Sequence, residues 1–286
     1  MTLTLQKMPE ILPNYFKAAL SVGRRTSKTP EIPALEASLP ELRIDQKQLS
    51  AYREICGFAG GDVLPITFPQ VLATSMQLHL MNQPAFPLPL MGLVHLRNRI
   101  EQERALGADE VFAVKVRVEA GGRTGEKGLE FDVILEFLAE ERVVWRAVMT
   151  VLHRARSKPD KPAGKKPAAP ASSQLSQYMS FDAPADIGRR YGRVSGDLNP
   201  IHLSPISAKL FGYPRAIAHG LWSLARCAAL LEPQLGRPPR ELDAAFKQPL
   251  FLPGRVALKH HADGDGLQFW LLSRTADKTH LAGSLR

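Results

Sequence analysis

Asp197 and His202 stand five residues apart in the segment Gly196-Asp197-Leu198-Asn199-Pro200-Ile201-His202. With reference pKa values of about 3.9 for Asp and about 6.5 for His, both can hold or pass a proton near neutrality. Pro200 removes a backbone donor and pushes Asn199 out of the helical region, while Gly196 permits a sharp departure from the preceding element. The segment is therefore a loop, from which two side chains can converge on one small molecule. Gly, Asp, Asn and Pro are also ordinary turn formers, so the heptapeptide alone reads equally well as punctuation. Its flanks decide between the two.

The chain of 286 residues can bury one large core or two of ordinary domain size. A hydrophobic fraction of 44% with 23% charged residues describes a soluble globular protein. The longest apolar stretch, Leu221–Leu231, is interrupted by Ser223 and Arg226 and is too short to span a bilayer. The N-terminus lacks a charged run followed by an apolar core, so no secretory signal is expected. Cys56 and Cys227 share no metal or redox spacing, which suggests a reducing compartment, and a cytoplasmic protein is expected. The formal charge of +9 implies an acidic partner. Basic residues are scattered rather than interleaved with aromatics, which argues against nucleic acid and leaves a phosphorylated cofactor, an acidic carrier protein or a merely solvated surface.

Residues 1–40 carry five prolines and little periodicity; they read as an arm with one helix near Tyr15–Val22. Asp45 is placed to cap a helix through Leu49, Tyr52 and Ile55 that ends at Gly57. Gln70–Met81 is apolar on most faces, as a helix wrapped by a sheet would be. Strand-like alternation follows over Val111–Val118, Phe131–Leu138 and Val143–Leu152. Residues 157–176, rich in Pro, Ala and Lys, can bury no face and read as a linker. After it the order recurs. Pro184 opens a helix reaching Tyr191 and Ser195, a very apolar helix begins at His219-Gly220, and strands are expected at Arg255–His261, Leu267–Leu272 and His280–Leu285. Tyr52-x-x-Ile55-Cys56-Gly57 matches Tyr191-x-x-Val194-Ser195-Gly196, but Phe58 stands where the second copy has Asp197. Asp62 and Thr67 do not restore the pair. The pattern suggests an α+β duplication in which only the second copy kept its chemistry; chance similarity of two helix ends is the alternative.

Tyr191 to His202, followed by Ala218-His219-Gly220, resembles the motif of MaoC-like (R)-specific enoyl-CoA hydratases and dehydratases of the two-repeat type. The likeness is best over residues 180–255. It implies a double hot-dog fold, in which each antiparallel sheet wraps one long helix. Four units are then expected: an arm over 1–40, a worn, non-catalytic repeat over 41–156 that accommodates the acyl chain, the linker over 157–176, and a catalytic repeat over 177–286. The implied reaction is hydration of trans-2-enoyl thioesters to (R)-3-hydroxyacyl thioesters, or its reverse, on coenzyme A or acyl carrier protein. Asp197 and His202 would orient and deprotonate the water and return the proton to the α-carbon, each role worth about 10²–10⁴-fold. The resemblance further implies that Asn199 helps hold the site and that the Gly220 amide is the oxyanion donor. A helix N-terminus, with its unpaired N–H groups, independently suits Gly220 to that task. Neither a metal nor a cofactor beyond the thioester carrier is expected. Nor is a nucleic-acid partner or a membrane span. The repeats would form a pseudo-dimer within the chain, with a homodimer left open.

Other residues are weaker candidates. His219 suits a supporting role. Ser195 lacks a base of its own, and His260-His261 would point to opposite faces of a strand. Lys247, Arg255 and Lys259 could meet carrier phosphates or simply face solvent. Trp222 and Trp270 read as core. Two other functions stay open at this level: a hot-dog thioesterase and a non-catalytic acyl-binding or scaffolding subunit.

Overall fold

In the computed structural model, residues 1–20, 30–154 and 177–286 are described. The first part of the chain runs β1 (Thr2–Thr4), α1 (Ile11–Leu20), β2 (Leu35–Arg43), α2 (Gln46–Cys56), α3 (Phe68–Leu72), α4 (Thr74–Met81), β3 (Leu93–Gln102), β4 (Val111–Val118), β5 (Arg123–Gly125), β6 (Gly128–Ala139) and β7 (Arg142–Arg154). The second runs β8 (Gln177–Ala183), α5 (Ile187–Ser195), α6 (Pro200–Leu203), α7 (Pro205–Leu210), α8 (Gly220–Leu235), β9 (Glu241–Phe246), β10 (Gly254–Asp263), β11 (Gly266–Ser273) and β12 (Thr279–Leu285).

Local chemistry accounts for the elements that matter to the site. The Asp45 carboxylate accepts the N–H groups of Lys47 and Gln48 at the start of α2, and Gly57, at φ +76°, closes it. Period-two alternation in β4 sends Phe112, Val114, Val116 and Val118 into the core. The helix expected over Gln70–Met81 is instead two pieces, α3 and α4, parted at Ala73. The Thr74 hydroxyl donates back to the Gln70 carbonyl at 3.4 Å, the kind of i−4 bond that bends a helix.

The twelve strands of the described residues form one sheet, in the order β1-β2-β4-β6-β7-β3-β9-β12-β11-β10-β8, with β5 hanging on β6. Every pairing is antiparallel except β1 with β2. The order is a palindrome. If β2, β4, β6, β7 and β3 correspond to β8, β10, β11, β12 and β9, either half read outward from the β3–β9 junction gives the same sequence. Residues Arg97–Glu101 pair antiparallel with Glu241–Ala245 at that junction. The double hot-dog layout follows, with α4 packed on β2 and β4, and α8 on β9, β11 and β12. Between the repeats, the Tyr52 and Tyr191 rings lie 6.3 Å apart, Trp222 Nε1 donates to the Ile55 carbonyl at 3.0 Å, and Arg226 Nη1 donates to that of Cys56 at 3.2 Å. The two motif copies thus meet face to face.

Several expectations need correction. Residues 1–40 are not only an arm, because β1 and the first six residues of β2 belong to the sheet. The arm's helix starts at Ile11 rather than Tyr15. Strands β1, β2, β3, β5, β8 and β9 lie outside the runs expected from the sequence, although β3 and β9 make the central seam. The 157–176 linker lies outside the described residues. Among the described residues no helix is long and apolar enough to cross a membrane.

Candidate active site

Three glycines allow the loop after α5 to fold back on that helix. A Cβ on Gly188 would lie 1.9 Å from the His202 carbonyl oxygen, and one on Gly192 would lie 2.8 Å from that of Asp197. Gly196 takes φ +74°, which ends α5 in the left-handed region. Asn199 then caps the short helix α6: its Oδ1 accepts the Ile201 N–H at 3.4 Å, and its carbonyl accepts the His202 N–H at 3.0 Å. Asp197 makes turn bonds of its own, as its Oδ1 accepts the Asn199 N–H at 3.1 Å and its N–H donates to Ser195 Oγ at 3.2 Å. The turn reading holds, and the same turn brings the Asp197 and His202 side chains together.

Asp197, His202 and His219 gather with one ligand-type atom of each inside a 4.8 Å span. The His202 and His219 rings stack, with centroids 3.7 Å apart and planes 27° from parallel. His202 Nδ1 lies 2.8 Å from the Ile217 carbonyl, which can only accept, so the neutral ring carries its proton on Nδ1 and a lone pair on Nε2. His219 Nε2 likewise donates to the Asp197 carbonyl at 2.9 Å and lies 3.8 Å from Asp197 Oδ2. With His202 Nδ1 and His219 Nε2 both donating to carbonyls, each uncharged ring keeps one lone pair, on Nε2 of His202 and on Nδ1 of His219.

The Asp197 side chain is 38% exposed, whereas those of His219 and His202 are buried. Burial works against the Asp197 charge, but His219, His202, the Tyr15 hydroxyl and the Asn199 amide outweigh it and hold the carboxyl below its ordinary range. His202 is depressed by burial, with Asp197 and the Ile217 carbonyl pulling the other way. His219 is driven down to about 3, first by burial and then by His202. Near neutrality the site therefore holds a carboxylate and two uncharged imidazoles.

Gly220 is the first residue of α8, where an amide has no partner within the helix. A Cβ there would come within 3.0 Å of the Phe246 ring. Phe246 also meets the first repeat: His95 stands 4.8 Å from it, ring to ring, beside a register shift in β3. Its Nε2 is buried without a partner.

The structure unites Asp197, His202, Asn199 and Gly220 in one place, with Asn199 acting as cap rather than as a free polar group. His219 links the loop to α8, in keeping with a supporting role. Lys247 and Arg255 are exposed, and among the described residues neither has a hydrogen bond or ion pair to Asp197 or His202; Arg255 lies 3.8 Å from Asp182. Lys259, weighed as a phosphate ligand, is buried with its ammonium 5.8 Å from the Tyr178 ring. Trp222 is core, while Trp270 is only partly buried. In the first repeat Phe58 stacks on Tyr52 at 6.1 Å, Thr67 accepts from the Tyr52 hydroxyl at 2.8 Å, and Asp62 is exposed. Two groups near Asp197 lie outside every sequence motif: the Tyr15 hydroxyl, which donates to its Oδ1 at 2.7 Å across 182 residues of chain, and His95, whose imidazole feels the Asp197 charge.

A sheet doubled about an internal two-fold, with Asp197 and His202 gathered on the loop before α8, defines a double hot-dog protein with, among the described residues, one such Asp–His cluster. The family model described as "MaoC like domain" matches residues 157–269. The chain is 34% identical over 262 residues to the 3-hydroxyacyl-thioester dehydratase X of Mycobacterium tuberculosis, spanning 90% of this chain and 91% of that protein. It superimposes on the crystal structure of HtdX from Mycobacterium tuberculosis with a TM-score of 0.75 at 29% identity, over 88% of this chain and 99% of that one. A MaoC-like dehydratase from Phytophthora capsici shares the fold, with a TM-score of 0.72 at 18% identity over 92% and 97% of the two chains. The chain belongs to the MaoC-like dehydratase family.

Proposed function

We propose that this protein is a hydro-lyase that adds water to trans-2-enoyl thioesters to give (R)-3-hydroxyacyl thioesters, and catalyses the reverse dehydration, on coenzyme A or an acyl carrier protein. One observation carries the reading: the partly exposed Asp197 carboxylate accepts from Tyr15 beside a His202 whose Nδ1 donates to the Ile217 carbonyl, which puts the lone pair of the uncharged ring on Nε2, on the loop that leads to the N-terminus of α8. In the forward direction the pair orients a water and takes one proton as its oxygen bonds to the β-carbon. Charge moving onto the thioester oxygen is met by the Gly220 N–H, a kind of donor whose loss typically costs about 10²–10³ in turnover. The proton held by the pair then goes to the α-carbon, so H and OH add across the double bond with no redox partner. No cofactor beyond the carrier is required by this scheme.

Lys247 and Arg255 are assigned to the carrier's phosphates, since both are exposed cations of the catalytic repeat. The first repeat, lacking an Asp–His pair, is assigned to the acyl chain. It shares with α1 a cleft of about 590 Å³ lined in part by Ile11, Leu42, Val71 and Leu72. Both cysteines are free and buried, which suits a reducing compartment such as the cytoplasm.

The test is loss of enoyl absorbance with crotonyl-, octenoyl- and branched enoyl-CoA, followed by oxidation of the product with (R)- and (S)-specific 3-hydroxyacyl dehydrogenases. Oxidation by the (R)-specific enzyme alone is expected. Release of free thiol would make the protein a thioesterase, and tight binding without turnover would make it an acyl-binding subunit.

A further inference from the structure

We infer that Tyr15, on the helix that precedes both repeats, is a positioning residue for Asp197 and completes the site from outside the catalytic repeat. The inference rests on the role proposed above for Asp197. Its basis is geometric. The Tyr15 hydroxyl donates to Asp197 Oδ1 at 2.7 Å, and the same oxygen accepts the Asn199 N–H at 3.1 Å. A carboxylate offers about four acceptor sites on its two oxygens. With Oδ1 occupied twice, Oδ2, which lies 3.8 Å from His219 Nε2, is left to face a water or a substrate proton. A partly exposed aspartate with one turn bond could swing about its last torsion, which is broad for Asp. The second donor fixes that torsion, so the free oxygen always points the same way.

The helix α1 is built to hold this contact. Asn82, just past α4, donates from Nδ2 to the Asn14 carbonyl at 2.8 Å, and Asn14 donates in turn to the Glu10 carbonyl at 2.8 Å. At its start Ile11 lies over Gly196, so closely that a Cβ on that glycine would fall 2.1 Å from Ile11 Cδ1. The first turn of α1 is therefore fastened at Ile11 to the catalytic loop and at Asn14 to the first repeat, and Tyr15 follows directly in the chain. Because the hydroxyl donates to the charged form, it also favours the ionised carboxylate.

The test is full-length Tyr15→Phe, which keeps the ring and removes only the donor, assayed by enoyl-CoA hydration with a pH profile. A hydrogen bond to a charged group is worth about tenfold or more, so kcat should fall by roughly that factor with KM within about twofold. The acid limb of kcat/KM should move to higher pH, since the carboxylate has lost a stabilising donor; that limb belongs to the coupled Asp197–His202 pair. An acid limb that stays in place, whatever happens to kcat or thermal stability, makes Tyr15 a packing contact and overturns the inference. Asp197→Asn, run in parallel, separates the two claims. If that variant is also active, the role of Asp197 itself has failed; if it is dead while Tyr15→Phe is like wild type, only the role of Tyr15 has.

Discussion

His219 Nε2 donates to the backbone carbonyl of Asp197 while the His219 ring stacks on His202 at 3.7 Å, so one buried imidazole braces both members of the pair. Burial opposes charge on this brace, because a second proton, on Nδ1, would sit buried with no acceptor among the described residues.

That arrangement predicts acid lability. The folded-state pKa of His219 is about 3 and that of His95 about 4, both depressed chiefly by burial from an unfolded value of about 6.5. Each contributes stability that is fully present above about pH 6.5 and is lost as pH falls toward the folded value, because the unfolded chain takes up the proton first. The slope is about 1.4 kcal/mol per pH unit for each group. Tm should fall steadily from pH 6.5 to 4.5, and His219→Gln should make that fall shallower. An identical pH dependence in the variant would show that His219 is not the titrating brace.

Gly188→Ala tests how the loop is seated. The added methyl would meet the His202 carbonyl at 1.9 Å, a backbone atom that cannot move without moving the pair. A loss of at least about 1–3 kcal/mol in chemical denaturation is expected, together with lost hydration activity. Wild-type stability and rate in this variant would mean that α5 and the loop are not in contact.

In the first repeat, Phe58→Ala removes the ring stacked on Tyr52 at 6.1 Å. Phe58 is only partly buried, so the cost should be below the roughly 3–5 kcal/mol of a fully buried phenylalanine, with kcat on crotonyl-CoA within a few-fold of wild type. A collapse of kcat in folded protein would place that repeat in the chemistry.

The sequence revealed what local rules encode. Asp45 and Gly57 bounded α2, alternation marked β4, and the Asp197–His202 spacing marked the site together with the helix that starts at Gly220. The duplicated motif around Tyr52 and Tyr191 pointed to the two-fold that the strand order makes explicit. What escaped depends on long-range contact. β9 sets no legible period, because its six residues are too few beside a longer apolar helix, yet its pairing with β3 joins the repeats. The break at Ala73 lies in a helix apolar on most faces, where no periodicity can register a kink. Tyr15 reaches Asp197 through tertiary packing alone, so no spacing rule could have found it.

His202→Ala should cost turnover on the same scale as loss of the carboxylate, about 10²–10⁴-fold. Combined with Asp197→Asn it should cost far less than the product of the single effects, because both groups act on one water. Independent, multiplicative losses in a double-mutant cycle would show that the two serve separate steps.

The most direct measurement is the hydration rate of folded Asp197→Asn, followed by loss of enoyl absorbance, with circular dichroism to confirm the fold. Asparagine keeps the size of the side chain and an oxygen that can accept from Tyr15 and the Asn199 amide, but it lacks the charge and the basic site. Turnover should drop by roughly 10²–10⁴ with the spectrum unchanged. A folded variant that hydrates enoyl-CoA at near the wild-type rate would contradict the acid–base assignment and leave Gly196–His202 as a turn.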